Sequence, residues 1–386
     1  MRVTIKARPE DFVVEEVLAV RPGEMGDHAV YKVTKRLLTT LEVQERIARQ
    51  INVPPRTVVY PALKDKGALA TQYCTLHGHG PQRMTGNGYE AELVGRLSQH
   101  LSPRDMQGNR FTIAIGAQSP QEAERLAARL AEMGRTGLPN YFDEQRFGSY
   151  TPGGAFVGKA ILQRDAETAL RAYFTEIAPG DPPELRAFKR VAKERWGDWS
   201  ALFDQAPRSN HRSILSFLKD HPADFRKALN LITPRLLPLL LSAYQSFLWN
   251  RIASRYLALQ MEGENQHQGT MRIAGEDVAV YRSLSREQTE ALRRIALPLP
   301  HHQAMVRDSS LARIMDETLA QEGLRMPEMK ARILRNAYLT KSERPLLLFP
   351  KDVAVEVTNI PGARAQFFLP PGAYATLVVK AAAATA

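Results

Sequence analysis

The sequence predicts a sheet domain of α/β or α+β type interrupted by an inserted helical domain. Three observations predict it. The first 115 residues alternate runs of β-branched and aromatic residues with single helical patterns. From about Asp165 to Arg335 helical spacing dominates instead. The last 45 residues return to strand-like runs.

Phe12–Val17 and Ala29–Val33 read as strands. Thr39 and Thr40 are candidate N-caps for a helix with Leu41, Ile47 and Ala48 at helical spacing, which Pro54-Pro55 stops. A strand is expected at Thr57–Tyr60, a turn at Lys64–Gly67 and a strand at Thr71–Leu76. Gly78–Gly88 reads as a loop. Two further strands follow, Glu90–Leu97 and Arg110–Ile115, then an amphipathic helix over Gln121–Gly134. Helices are expected at Ala166–Phe174, Glu184–Trp196, Arg212–Leu218 and Leu236–Leu257. Strands are expected at Pro345–Phe349, Val353–Val357, Phe367–Leu369 and Ala375–Val379, ahead of a frayed alanine-rich end at Ala381–Ala386.

Composition narrows the class. Apolar residues at 44% and charged residues at 24% are globular values, and 386 residues suit about two domains. The apolar stretch Leu236–Leu241 is short and broken by Pro238, so no membrane span is expected. Met1–Lys6 lacks the apolar run of a secretory signal. Cys74 is the single cysteine, which makes a cytoplasmic setting the natural reading. A net charge of +11 makes a polyanion a plausible partner.

Several chemistries find little support. His77-Gly78-His79 and His301-His302 have no third ligand at a recognisable metal spacing. No Gly-x-Ser-x-Gly elbow exists. Gly153–Lys159 fits the frame of a phosphate-binding loop, but Ala160 stands where a magnesium-binding hydroxyl is needed. The segment Leu63-Lys64-Asp65-Lys66-Gly67 is different. Its two lysines favour an ionised carboxylate on Asp65, able to attack or to take a proton. The same residues also suit an ordinary turn.

At this segment the chain resembles the TruD family of pseudouridine synthases. Ile5-Lys6-Ala7-Arg8-Pro9-Glu10-Asp11-Phe12-Val13-Val14-Glu15-Glu16 is similar to the family's opening motif, and Leu63-Lys64-Asp65-Lys66 with Thr71-Gln72 to its catalytic motif. Gly108-Asn109-Arg110-Phe111, Pro139–Gly148, Ser242–Asn250 and Leu369–Thr376 resemble further motifs, all in family order. The resemblance implies an α+β fold: a mixed-sheet pseudouridine synthase core over 1–147 and 341–386, with a mostly helical TRUD domain inserted at 148–340.

The resemblance also implies a function: isomerisation of a tRNA uridine, that at position 13 of the D arm in bacterial members, with Asp65 as catalytic nucleophile or base. Phe12, Asn109 and Tyr374 fall on positions that contact the target nucleotide, Lys6 lies near the active site, and Phe111 packs beside the carboxylate. Tyr374 departs from the bacterial pattern, where Phe is usual. No electron, hydride or group enters this reaction, so no cofactor, metal or nucleotide is expected. The expected partner is tRNA, and the expected state a monomer. Two alternatives stand beside this reading: a tRNA-binding protein or folding chaperone with lost or secondary catalysis, and a pseudouridine synthase acting on another RNA site.

Overall fold

The computed structural model describes residues 1–5, 8–261, 268–359 and 361–386, of Gln268 the backbone alone. The chain divides into two compact units, Met1–Leu138 with Leu348–Ala386, and Pro139–Leu347. Among the described residues no helix is long and apolar enough to cross a membrane.

The first unit is built on one eight-stranded sheet. Its strands are β1 (Phe12–Leu18), β2 (His28–Lys35), β3 (Leu69–His77), β4 (Arg83–Gly86), β5 (Tyr89–Leu97), β6 (Met106–Gly116), β7 (Lys351–Thr358) and β8 (Gly362–Leu369). Their order is β7-β8-β6-β1-β3-β2-β5-β4. β1 and β3 run parallel, and the other neighbours are antiparallel, so the sheet is mixed and the fold is α+β. A parallel pair needs a long crossover. Here the chain makes it through β2 and the helix α1 (Thr40–Gln50).

Thr39 caps α1. Its hydroxyl accepts from the Glu42 N–H while the Glu42 carboxylate accepts from the Thr39 N–H, a reciprocal box. The buried stripe of α1 is Val43, Ile47 and Ala48, which belong to one hydrophobic cluster with Tyr31 and Val33 of β2. Leu41, expected in that stripe, is 52% exposed, because Val43 occupies the position one turn before Ile47. A second helix, α2 (Pro120–Thr136), buries Ala123, Leu126, Leu130 and Met133 and packs on β7 and β8.

Four expectations fail, each for a local reason. Thr57–Tyr60 is not a strand: Pro54 and Pro55 tighten Pro55–Thr57 into a 3₁₀ turn, leaving one bridge, Val59 to Thr75. Gly78–Gly88 is not all loop, because Arg83–Gly86 pairs with β5 across the turn at Asn87-Gly88. Ala375–Val379 is helical. The helix Ala375–Thr385 follows the break at Pro370-Pro371-Gly372, and its alanines outweigh the β-branched pair Val378-Val379. Nor is its end frayed: Ala381, Ala382 and Ala383 are buried, and the Arg129 Nε donates to Thr385 Oγ1 at 2.8 Å.

The second unit is mostly helical. Ala166–Thr175, Pro183–Glu194, Asn210–Asp220 and Leu237–Gln260 lie close to the expected helices. The last is buried on nearly every side, as an apolar helix without a polar face must be. Its polar residues serve the backbone around it. Gln245 Nε2 donates to the carbonyls of Pro300 and Thr340, and Asn250 both accepts from the Phe142 N–H and donates to the Phe142 carbonyl. The hairpin Gln268–Ile273 and Glu276–Tyr281 and the helix Ser309–Gln321 were not expected.

The Gly153–Lys159 frame is a packing device in this unit. It leads into the helix Val157–Leu162 with no strand before it. A Cβ on Gly158 would lie 2.8 Å from the Leu240 carbonyl and 2.9 Å from Tyr244 Cβ. Lys159 Nζ pairs with Glu322 at 2.8 Å.

Candidate active site

Strand pairing in the first unit brings three charged or polar groups to one face of the sheet. In β1 the residues Phe12, Val14 and Glu16 stand opposite Ile113, Phe111 and Asn109 of β6. Val14 also stands opposite Ala70 of β3, and Ala70 opposite Lys35 of β2. Side chains alternate in direction along a strand, so Glu16, Asn109 and Lys35 share the face that carries the aromatic core.

Asp65 lies in the irregular segment just before β3 and is half-buried. Three ties hold that segment. The Lys64 N–H donates to Thr40 Oγ1 at 2.8 Å, and that hydroxyl donates to Gln72 Oε1 at 3.1 Å. Lys35 Nζ donates to the Asp65 carbonyl at 2.5 Å and to the Leu38 carbonyl at 2.8 Å. Lys64 Nζ reaches Glu16 Oε1 at 2.7 Å and Asn109 Oδ1 at 2.8 Å. The other Glu16 oxygen accepts from the Tyr73 N–H at 2.8 Å.

The lysines beside Asp65 therefore differ. Lys64 turns inward and its side chain is 9% exposed, so it is not placed to meet a phosphate. Lys66 turns outward, 3.3 Å from Glu42. Burial and the pairing with Glu16 leave Lys66 alone of the two facing solvent. Lys64 instead orients Asn109. An ammonium only donates, so it fixes the amide oxygen toward itself and turns Nδ2 away, ready to donate.

Burial sets the protonation of the inner groups. It pushes the Glu16 carboxyl above its ordinary pKa, against the opposing pull of Lys64 and the Tyr73 N–H. It pushes Lys35 down to about 8, with Asp65 and Glu42 pulling it back up and Lys64 adding to the depression. The Glu42 carboxyl drops to about 2, chiefly through its bond from the Thr39 N–H.

Phe12, Phe111 and Phe367 form an aromatic row beneath these groups. The Phe12 and Phe111 rings meet edge to face at 6.0 Å, and Phe111 lies 5.8 Å from Phe367. Phe12 and Phe111 are 5% and 7% exposed, so most of each ring is core. Tyr374 is half-buried and caps the helix Ala375–Thr385. It follows β8 by a five-residue step from Leu369, which pairs with Asn109. Lys6 lies outside the described residues.

The sequence gives no site role to Lys35, to Glu16 at the end of the opening motif, or to Thr40, which reads there only as a candidate N-cap. A signal existed for two of them. Glu16 continues the inward parity of Phe12 and Val14, and Lys35 that of Tyr31 and Val33. A charge in the inward phase of a strand is a buried charge, which needs a partner.

Gly108 sets the strand beside Asn109. Its φ is 157°, and an added Cβ would lie 2.2 Å from the Leu369 carbonyl and 2.5 Å from Phe368 Cζ. The backbones of β6 and β8 approach too closely there for any side chain.

The architecture has a solved counterpart. A crystal structure from Methanosarcina mazei assigned to tRNA pseudouridine synthase D superposes with a TM-score of 0.71. It is 24% identical and covers 98% of this chain and 92% of its own, which shows the fold. The mixed sheet, with the helical unit inserted in the chain between β6 and β7, thus has the α+β fold of that structure. The family model for tRNA pseudouridine synthase D (TruD) matches residues 1–382, and the chain belongs to that family. It is similar to Probable tRNA pseudouridine synthase D 2 of Methanocaldococcus jannaschii, 28% identical over 98% of this chain and 91% of the relative. It is also similar to tRNA pseudouridine synthase D of Aquifex aeolicus, 24% identical over 98% of each chain.

Proposed function

We propose that this enzyme converts a tRNA uridine to pseudouridine with Asp65 as its catalytic carboxylate, and that uridine 13 of the D arm is the target. The observation that carries the assignment of Asp65 is the tethering of its loop. The loop that carries this half-buried aspartate is held through Lys35, Thr40 and the Lys64–Glu16–Asn109 cluster, a degree of fixation that an ordinary surface turn does not need. The sheet unit is then the catalytic part, and the helical unit Pro139–Leu347 the part that selects the RNA.

The reaction conserves every atom of the nucleotide but one exchanged hydrogen. The bond from C1′ to uracil N1 breaks, the ring turns over, and C5 bonds to C1′. The C5 hydrogen leaves to solvent and N1 takes a proton. An ionised Asp65 either attacks C1′ or removes the 2′ hydrogen to give a glycal, and both begin from the carboxylate. The base must leave its stack to be reached. Phe12, Phe111 and Tyr374 supply the apolar wall against which it rests, with Asn109 Nδ2 and Lys6 as polar contacts.

The test is release of tritium from uracil C5 of transcribed tRNA by wild type and by Asp65→Asn. Loss of release in the variant with retained tRNA affinity supports the assignment, and full activity in the variant refutes it. No release by wild type from any tRNA favours a binding protein or chaperone. Affinity should fall steeply with salt, as phosphate recognition by a chain of net charge +11 requires.

A further inference from the structure

We infer that Lys35 is a positioning residue of the reaction, holding the Asp65 loop through its main-chain carbonyl and setting a buried cation behind the Asp65 carboxylate. The inference rests on the reading of Asp65 as the catalytic carboxylate. Lys35 does not touch the reacting atoms by this account and is not itself catalytic.

Lys35 is 1% exposed, a rare condition for lysine. Removing an ammonium from water is expensive, and an apolar side chain of similar volume would fill the site at lower cost. The arrangement therefore calls for something only the ammonium provides. It provides two things here. Nζ joins the Leu38 carbonyl, just past the end of β2, to the Asp65 carbonyl, tying the rigid sheet to the catalytic loop. Charge-assisted bonds of this kind are about twice as strong as neutral ones. The cation also acts on the carboxylate, since Lys35 and Asp65 interact electrostatically.

Among the described residues, the charged groups that face Lys35 are Asp65 and Lys64 of the loop and Glu42 of α1. Burial outweighs the two carboxylates and holds the Lys35 pKa at about 8. The sign follows directly. The protonated form is the working form, so the chemical step is intact below that value. It weakens as pH rises through it, when the charge and the strength of the tether are lost together.

The test is single-turnover tritium release at saturating enzyme over about pH 6 to 9.5, with tRNA affinity measured in parallel. The wild-type rate should show an alkaline fall near pH 8. Lys35→Met should be slower by about tenfold or more at neutral pH, with tRNA affinity changed by less than about threefold, and should lack that fall. Lys35→Arg keeps its charge at all these pH values and should also lack it. Where Lys35→Met does not match wild-type melting behaviour, Lys35→Gln takes its place, with a neutral amide donor. The same alkaline fall in all variants overturns the inference, as does an unchanged rate in the neutral variant or a loss seen in affinity alone. An Asp65→Asn control separates the two claims. Activity in that control overturns the reading of Asp65, whereas an inactive control beside a fully active Lys35→Met overturns only the role of Lys35.

Discussion

Lys64 and Glu16 form an ion pair at 2.7 Å with both side chains almost wholly out of solvent, and the pair sits one residue from the proposed catalytic carboxylate. A buried pair adds little net stability, but losing one member leaves a charge stranded. Lys64→Met should therefore destabilise the fold by about 3–5 kcal/mol at neutral pH. The loss should shrink on acidification. Burial already holds Glu16 above the ordinary carboxyl value, and without Lys64 it rises further. The native state then binds a proton at pH values where the unfolded chain does not, so lowering the pH through that range favours the native state. Urea unfolding of wild type and variant near pH 7 and near pH 5 checks this. An equal loss at both pH values would contradict it.

Gly108→Ala tests the strand geometry that sets Asn109. A Cβ 2.2 Å from the Leu369 carbonyl must push β6 and β8 apart. Overpacking of this kind costs about 1–3 kcal/mol, and the displaced Asn109 can no longer keep both its bond from Lys64 and its aim at substrate. The expected outcome is a melting point lowered by several degrees and a turnover reduced more than tRNA binding. Wild-type turnover at a lowered melting point would separate Gly108 from the site.

Much of this fold was legible because local signals agreed with the global answer. Thr39 and Glu42 spell a capping box, and Gln121–Gly134 carries one apolar stripe, so both helices fall where expected. Ala375–Val379 failed because a short, fully buried apolar run looks alike in helix and strand, and the alanines that decide it come after the run. At the site, Asp65 stood out by its motif. Its supports did not, because each joins residues far apart in the chain: Lys64 to Asn109 across 45 positions, Lys35 to Asp65 across 30. Only the strand register brings such pairs together, and the register is not written in any one segment.

The Phe12–Phe111 contact gives a prediction about stability. Both rings are largely core, so truncation of either to alanine should cost about 3–5 kcal/mol. The double variant should lose less than the sum of the two. Edge-to-face pairs carry about 0.5–1.5 kcal/mol beyond their buried area, and the second truncation meets a contact already gone. A denaturation cycle on wild type, both single variants and the double variant measures the coupling. Strict additivity would show that the rings do not support one another.

The last prediction concerns the glycine frame at Gly153–Lys159. If Gly158 serves helix packing, Gly158→Ala should destabilise the helical unit by about 1–3 kcal/mol, since its new carbon meets the Leu240 carbonyl and Tyr244 Cβ inside contact distance. Both obstacles belong to the backbone or lie next to it, so neither can swing aside. Lys159, paired with Glu322, is already engaged and is not waiting for a phosphate. Magnesium-ATP should accordingly leave the melting temperature and the tritium-release rate unchanged. Lys159→Ala should weaken the Glu322 contacts without altering any response to nucleotide. A thermal shift on adding magnesium-ATP that disappears in Lys159→Ala would show instead that the frame binds phosphate and that its packing role is secondary.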